Sequence, residues 1–420
     1  MPGDTKYGEL VLNLPESQKN IARYIWTTFT KATQFRLSDF PTTPFVIEPT
    51  GAFAISESFQ DFLDGQVEKV ADRYDLPDGL EEFRQSEPLA CAFYLLNSLH
   101  ETLLPQNKLD KYGRYPYPES IQYAHNLMEV DYVREIFEGI YKDLTSLTVP
   151  TEQSKLMWSH DIDYLYSAWK TDLILALRDS RYLGIPGILW KALTSPARWN
   201  NIDELLEIEK EFDIRSTFFW LTEQGKSQVT PSHSIDHADY HFRMAKIQKY
   251  WDRISKSGSM HGLHKSAFPT KIEDELQKLP DSVVINRNHF LRFQLPDHYD
   301  QIENSGLKSD ASVGFPEHFG FRNSFGSPFQ PYNLPKNRPY RFIEYPLHLM
   351  DATFLTYLND DLESMTQKMT DFIHRHDRSC TISILLHNSY FDFHDDDQMD
   401  IWYRFFKSVS GKEWTLPISG

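Results

Sequence analysis

Cysteine is almost missing from this chain: Cys91 and Cys380 are the only two in 420 residues, and each lies in an apolar run. That pattern reads as two buried, reduced thiols and leaves no material for a disulfide framework or a cysteine-ligated metal. The N-terminus, MPGDTKYGEL, has no basic stretch followed by an apolar core, so no secretory signal is read there. A bilayer-spanning run is missing too. The longest semi-apolar stretch, Leu173 to Leu193, is broken by Arg178, Asp179 and Arg181. There is no basic excess, since 43 Lys and Arg face 60 Asp and Glu for a net charge of −17, which argues against nucleic acid or an anionic membrane as the main partner. No internal repeat or low-complexity tract stands out. The expectation is a soluble, cytoplasmic protein.

What is present is ordinary for a large packed core: 40% hydrophobic residues and 25% charged ones. The length favours two domains. Aromatics reach 14%, which suits a carbohydrate-handling protein but is better explained by an aromatic core. Residues 1–150 mix helical spacing (Ile21, Ile25, Phe29, Ala32; then Leu89 to Leu103 and Asp131 to Leu144) with a strand-like run from Pro44 to Ile55. This predicts an N-terminal α+β domain. The segment Thr148 to Gln153 reads as a linker.

From residue 151 to 420 short β-like runs alternate with amphipathic helices. Ser216 to Leu221, Val283 to Ile285 and Thr381 to Leu386 read as strands. Met244, Ile247, Trp251 and Ile254 share a helix face that should stop at Gly258, and Asn201 is placed as a helix cap. Such alternation predicts a parallel sheet or barrel covered by helices, with chemistry at the C-terminal strand ends. Four polar clusters fall near such ends. They are Ser159-His160-Asp161-Ile162-Asp163, Met260 to Ser266, Arg287-Asn288-His289-Phe290, and His387-Asn388. Two carboxylates one residue apart can divide a hydrolytic job, one holding a metal ion and the other acting as general base. The acidic run His394 to Asp397 is read as a solvated turn, and Asp110 to Arg114 as a turn with its charge partner.

Taken together these clusters resemble the polysaccharide deacetylase family with NodB homology (carbohydrate esterase family four), in a branch carrying an extra N-terminal domain. The resemblance covers roughly residues 155–420, with a weaker match through Asp110-x-x-Gly113-Arg114. It implies a distorted (β/α) barrel and a metal-dependent hydrolase that removes N-acetyl groups from an amino sugar in a glycan or glycan precursor. It makes Asp161 the base, Asp163 and His264 metal ligands, and Arg287 the residue orienting the base. His387 would protonate the leaving amine. His289, Phe290 and Arg322 (in Gly320-Phe321-Arg322) are expected at the substrate. The implied cofactor is a divalent metal, zinc first, with cobalt, manganese or nickel as alternatives.

One position departs from the family: its second ligand histidine falls on Phe268. His261, or His160, is then the nearest candidate to complete the set. Glu344 and Asp351 are candidates to orient His387. Two other functions stay open. One is a glycosidase pairing Asp161 or Asp163 with Glu344; the other is a carbohydrate-binding protein without catalysis.

Overall fold

A computed structural model describes residues 10–37, 45–178, 182–194 and 197–417. Its centre is an eight-stranded, all-parallel sheet. In chain order the strands are β1 (Lys155–Ile162), β2 (Ser216–Leu221), β3 (Met260–Lys265), β4 (Ile285–Asn288), β5 (Ser309–Asp310), β6 (Ile343–Glu344), β7 (Leu349–Met350) and β8 (Thr381–Leu385). Their spatial order is β6-β5-β4-β3-β2-β1-β8-β7.

That order forces the sheet to curl. β6 and β7 are its two edges, yet only residues 345–348 separate them along the chain. So short a link spans at most about 17 Å, whereas seven strand spacings laid flat would cover roughly 34 Å. The link stitches the seam: Tyr345 and Leu347 donate backbone bonds to Asp310 and Val313 at 2.8 Å each, and His348 donates to Ser383 at 3.2 Å. The sheet is a curled, open barrel.

β1 shows why these residues make a central strand. All of Leu156–Ile162 is buried, as a parallel strand covered on both faces requires. Alternation sends Leu156, Trp158, His160 and Ile162 outward to the helices and Met157, Ser159, Asp161 and Asp163 inward. Inside, Met157 packs with Phe219, Ile285, Ala311 and Tyr345. β3 approaches closely at Gly262, where a Cβ would sit 2.6 Å from the Phe219 ring.

Helices Ile202–Glu211, Ala245–Ser257, Asp297–Ser305, Leu362–Arg375 and Asp396–Val409 cover the outside. Ala245–Ser257 ends at Gly258 with φ +85, the left-handed cap that glycine permits. Asn201 sits at the start of Ile202–Glu211 but does not cap it. Its side-chain amide donates to the Asn388 and Phe391 carbonyls.

The chain before the barrel is mostly helical, with helices Lys19–Thr33, Pro88–Leu96 and Tyr132–Thr145 among them, plus a parallel pair Leu10–Leu12 and Phe45–Ile47. The strand expected from Pro44 to Ile55 is thus only three residues long, Pro44 itself lying outside the described residues. The expected helix through Leu103 ends at Leu96 and resumes as a 3-10 turn. The core of this part is not its own: Phe325, Phe329 and Tyr332 from the barrel half are packed within it. Both cysteines are buried and unpaired. Among the described residues no helix is long and apolar enough to cross a membrane.

Candidate functional site

At the C-terminal ends of the strands lies a cavity of about 360 Å³. Asp161, Asp163, His264, His289, Phe290 and His387 all line it, together with Tyr112, Arg114, Tyr164, Tyr357 and Tyr390.

Asp161 is 2% exposed and held by its neighbours. Arg287, itself 0% exposed, donates from Nη1 to Asp161 Oδ1 at 2.8 Å and to Ser159 Oγ at 2.9 Å, while Nε donates to the Ala311 carbonyl at 3.0 Å. The guanidinium also lies over the Phe219 ring, 4.2 Å from its centre. A buried cation fixed this way holds one carboxylate oxygen and leaves the other, Oδ2, facing His264 Nε2 at 3.4 Å.

Asp163 follows in the loop after β1. Asp239 fixes that loop by accepting from the Leu165 and Tyr166 N–H groups at 2.8 Å each. Asp163 Oδ1 stands 3.3 Å from His264 Nε2 and 3.5 Å from His289 Nε2, and Oδ2 stands 3.8 Å from His387 Nε2. Asp163 Oδ1 and both ring nitrogens of His289 are buried without a hydrogen-bond partner. His264 Nδ1 donates to the Arg287 carbonyl at 2.9 Å, which turns Nε2 into the cavity. Burial works against a charged ring there, but the Asp161 and Asp163 carboxylates raise His264 above its ordinary value, so a cation at Nε2 would take the place of a proton.

The donor atoms of Asp163, His264 and His289 all lie within 4.8 Å of one another. Orphaned buried polar atoms are costly unless something satisfies them. A carboxylate and two imidazoles with an open side fit a divalent cation of the zinc type. Burial alone would raise Asp163, but the His289 and His264 rings hold it well below the usual carboxylate range. Burial lowers His289, which favours the neutral ring a ligand needs.

His387, just past β8, faces the same space. Asp351 Oδ1 accepts from its Nδ1 at 2.6 Å, and Asp351 Oδ2 from its backbone N–H at 2.5 Å. Burial works against a charged ring, yet Asp351, with Asp163 and Asp161 beyond it, lifts His387 to about 9. The ring therefore carries a proton at neutral pH.

The turn carrying His289 is strained. Phe290 and Leu291 have φ of +62 and +49, a region that costs side-chain-bearing residues about 1–3 kcal/mol each. Arg292 N–H to the His289 carbonyl (3.2 Å) and Asn288 Nδ2 to the Arg292 carbonyl (2.9 Å) close it.

A sequence family described as "Family of unknown function (DUF7033)" matches residues 28–149. No curated protein matches the chain. Among solved structures, one described as "putative polysaccharide deacetylase from Mycobacterium smegmatis" is similar at 11% identity, with a TM-score of 0.39, over 65% of this chain and 90% of that one.

Several expected site residues stand elsewhere. His261 lies three positions before His264 on one strand, an odd spacing that puts it on the opposite face. It stacks on Trp251, with ring centres 3.7 Å apart, and its Nδ1 accepts from Trp220 at 3.1 Å, so it faces the helices and not the cavity. His160 points outward for the same reason and bonds Glu209 at 3.0 Å. Arg322 does not reach the cavity. It is 1% exposed, pairs with Glu101 at 2.9 and 2.6 Å, and is sandwiched by Phe293 and Phe315. Its neighbour Gly320 (φ +120) abuts the Met128 carbonyl, where a Cβ would come within 1.9 Å. This segment is therefore the seam with the N-terminal part.

Glu344 is also absent from the cavity; it is fully buried beside Asp310. The partner of His387 is Asp351. Phe268 packs on His237, ring centres 4.6 Å apart, and the third donor grouped with Asp163 and His264 is His289, from the neighbouring strand end. Residues not anticipated at the cavity wall include Tyr112, Tyr164, Tyr357 and Tyr390. The His394–Asp397 run is exposed but is a turn only at its start: Asp395 caps the last helix, and Asp396 and Asp397 form that helix's first turn.

Proposed function

We propose that this protein is a metal-dependent hydrolase of the NodB-homology type that removes N-acetyl groups from an amino sugar within a glycan or glycan precursor. The observation carrying the proposal is one cavity that holds a carboxylate fixed by an arginine, a cluster of three donors within reach of one ion and a histidine fixed by a carboxylate. Asp163, His264 and His289 would hold the metal, which supplies Lewis-acid polarisation and a more acidic water when bound.

The remaining steps belong to side chains. Asp161 Oδ2 takes a proton from the attacking water, its other oxygen being tied to Arg287. The Phe290 backbone N–H, in the cavity wall, is the group assigned to meet the oxygen of the attacked carbonyl. His387, charged near neutrality, delivers its proton to the departing amine while Asp351 keeps the ring oriented. Aromatic rings at the rim (Tyr112, Tyr164, Tyr390) suit sugar faces. Beyond Asn288 a polar cleft of about 650 Å³, with Thr270, Lys271, Gln294, Gln301 and Asn304 in its walls, offers hydroxyl partners for neighbouring sugar units.

The glycosidase reading needs a second carboxyl group in the cavity. Glu344 does not supply one, and Asp163 is committed to the two histidines. Incubating the protein with N-acetylated chito-oligosaccharides, with and without added zinc or cobalt, tests the proposal. Metal-dependent acetate release supports it. Chain cleavage without acetate would transfer the case to a glycosidase, and binding without any product to a lectin-like protein.

A further inference from the structure

The cavity is not built by the barrel alone. Tyr112 and Arg114, from the chain preceding the barrel, stand in its wall beside His289 and Phe290. Segments 110–114 and 290–294 are clasped to each other. Arg114 Nη1 donates to the Phe290 carbonyl at 3.0 Å; Arg292 Nε returns a bond to the Tyr112 carbonyl at 2.8 Å; Gln294 Nε2 donates to the Gly113 carbonyl at 3.2 Å. The rings of Tyr112 and Phe290 meet edge to face, 5.3 Å apart.

The donor side of this clasp is rigid. Arg114 is 2% exposed, and its Nε and Nη2 reach Asp110 Oδ2 at 2.8 and 2.7 Å. Asp110 Oδ1 accepts from the Tyr112 and Arg114 N–H groups at 2.8 Å each. Gly113 completes the turn at φ +77, a conformation that suits glycine.

The acceptor side is the strained turn. Two successive left-handed residues persist only where their surroundings over-determine them, and Arg114 gives the Phe290 carbonyl a charged donor. His289 immediately precedes that residue. Its ring has no hydrogen bond of its own, unlike that of His264; it is held by packing against the His237, His264 and Phe290 rings, at 5.2, 4.9 and 4.9 Å, and by the backbone it hangs from, so a shift of the Phe290 peptide moves both the ring and one of its packing partners.

We infer that segment 110–114 is a positioning element of the metal centre: by holding the Phe290 carbonyl, Arg114 aims His289 at the ion shared with Asp163 and His264. This gives the N-terminal part a role in the site and rests on the metal reading proposed above.

The test uses the full-length protein, stripped of metal and titrated with Co²⁺, followed by calorimetry and by the visible absorption of the bound ion. Arg114→Ala should weaken Co²⁺ binding by about 10–100-fold, the usual effect of losing an outer partner of a ligand, and change the absorption band. Arg114→Lys, which keeps one donor, should recover part of the affinity. Arg375→Ala breaks an ion pair with Glu129 that also joins the two parts of the chain, away from the cavity, and should bind as the parent does. Parent-like Co²⁺ binding by folded Arg114→Ala overturns the inference. Should that variant fail to fold, Arg292→Met loosens the same clasp from the barrel side, and unchanged affinity there overturns it equally. A parent protein that binds no Co²⁺ would instead remove the metal reading and this inference with it.

Discussion

Asp351 grips His387 twice, through the ring Nδ1 at 2.6 Å and the backbone N–H at 2.5 Å, so one buried carboxylate sets both the position and the charge of the histidine. The consequence is a shifted proton. His387 rises to about 9, so the ring keeps its proton below that pH and loses it as pH rises through it. An acid role for His387 therefore gives a rate profile that falls on the alkaline side near 9. Asp351→Asn removes the charge and lets the ring return toward an ordinary histidine value of about 6.5. The alkaline limb of kcat/KM should move down accordingly, and the smaller protonated fraction alone should cost roughly 30-fold at pH 8. A limb that stays in place would remove His387 from the acid role.

His289 and His261 make opposite predictions about metal. His289→Ala deletes a member of the donor cluster and should weaken divalent metal binding by more than the roughly 10–100-fold typical of an outer partner. His261→Ala should leave metal affinity unchanged and lower stability instead, because it removes the stack on Trp251 and the bond from Trp220. Metal titration paired with urea unfolding of both variants separates the two roles. The reverse pattern would put the wrong histidine in the site.

Arg322→Ala should be costly for stability. It strands the Glu101 carboxylate, which is 8% exposed, in an aromatic surround, and breaking one side of a buried pair typically costs about 3–5 kcal/mol. A fall of that size in urea-unfolding free energy, with KM unchanged in whatever protein still folds, is the expected result. A raised KM with full stability would restore Arg322 to the substrate.

How much of this was legible in the sequence depended on the range of the contact. β2 could be read because a strand buried on both faces calls for a continuous apolar run, here Phe218 to Leu221. The stop at Gly258 could be read because a left-handed cap selects glycine. β3 was harder. Met-His-Gly-Leu-His-Lys looks like a polar cluster after a helix, and only its pairing with β2 and β4 makes it a strand. Once it is a strand, the odd spacing between His261 and His264 separates them, a signal already present in the sequence.

Other contacts carry no local mark. Arg322 and Glu101 lie 221 positions apart, and Arg114 and Phe290 176 apart. Gly320-Phe321-Arg322 therefore read as substrate machinery when it is the joint between the two parts of the chain. The third donor was hidden in the same way. His289 stands on a different strand end from the expected position at Phe268, and only the curl of the sheet brings it to Asp163.

Asp161→Asn tests the central claim most directly, because it keeps the shape of the side chain and its bond to Arg287 while removing the base. Metal content and acetate release from N-acetylated chito-oligosaccharides should be measured on the same preparation. The account predicts parent-like metal content and no detectable acetate release. Full activity in that variant would contradict it.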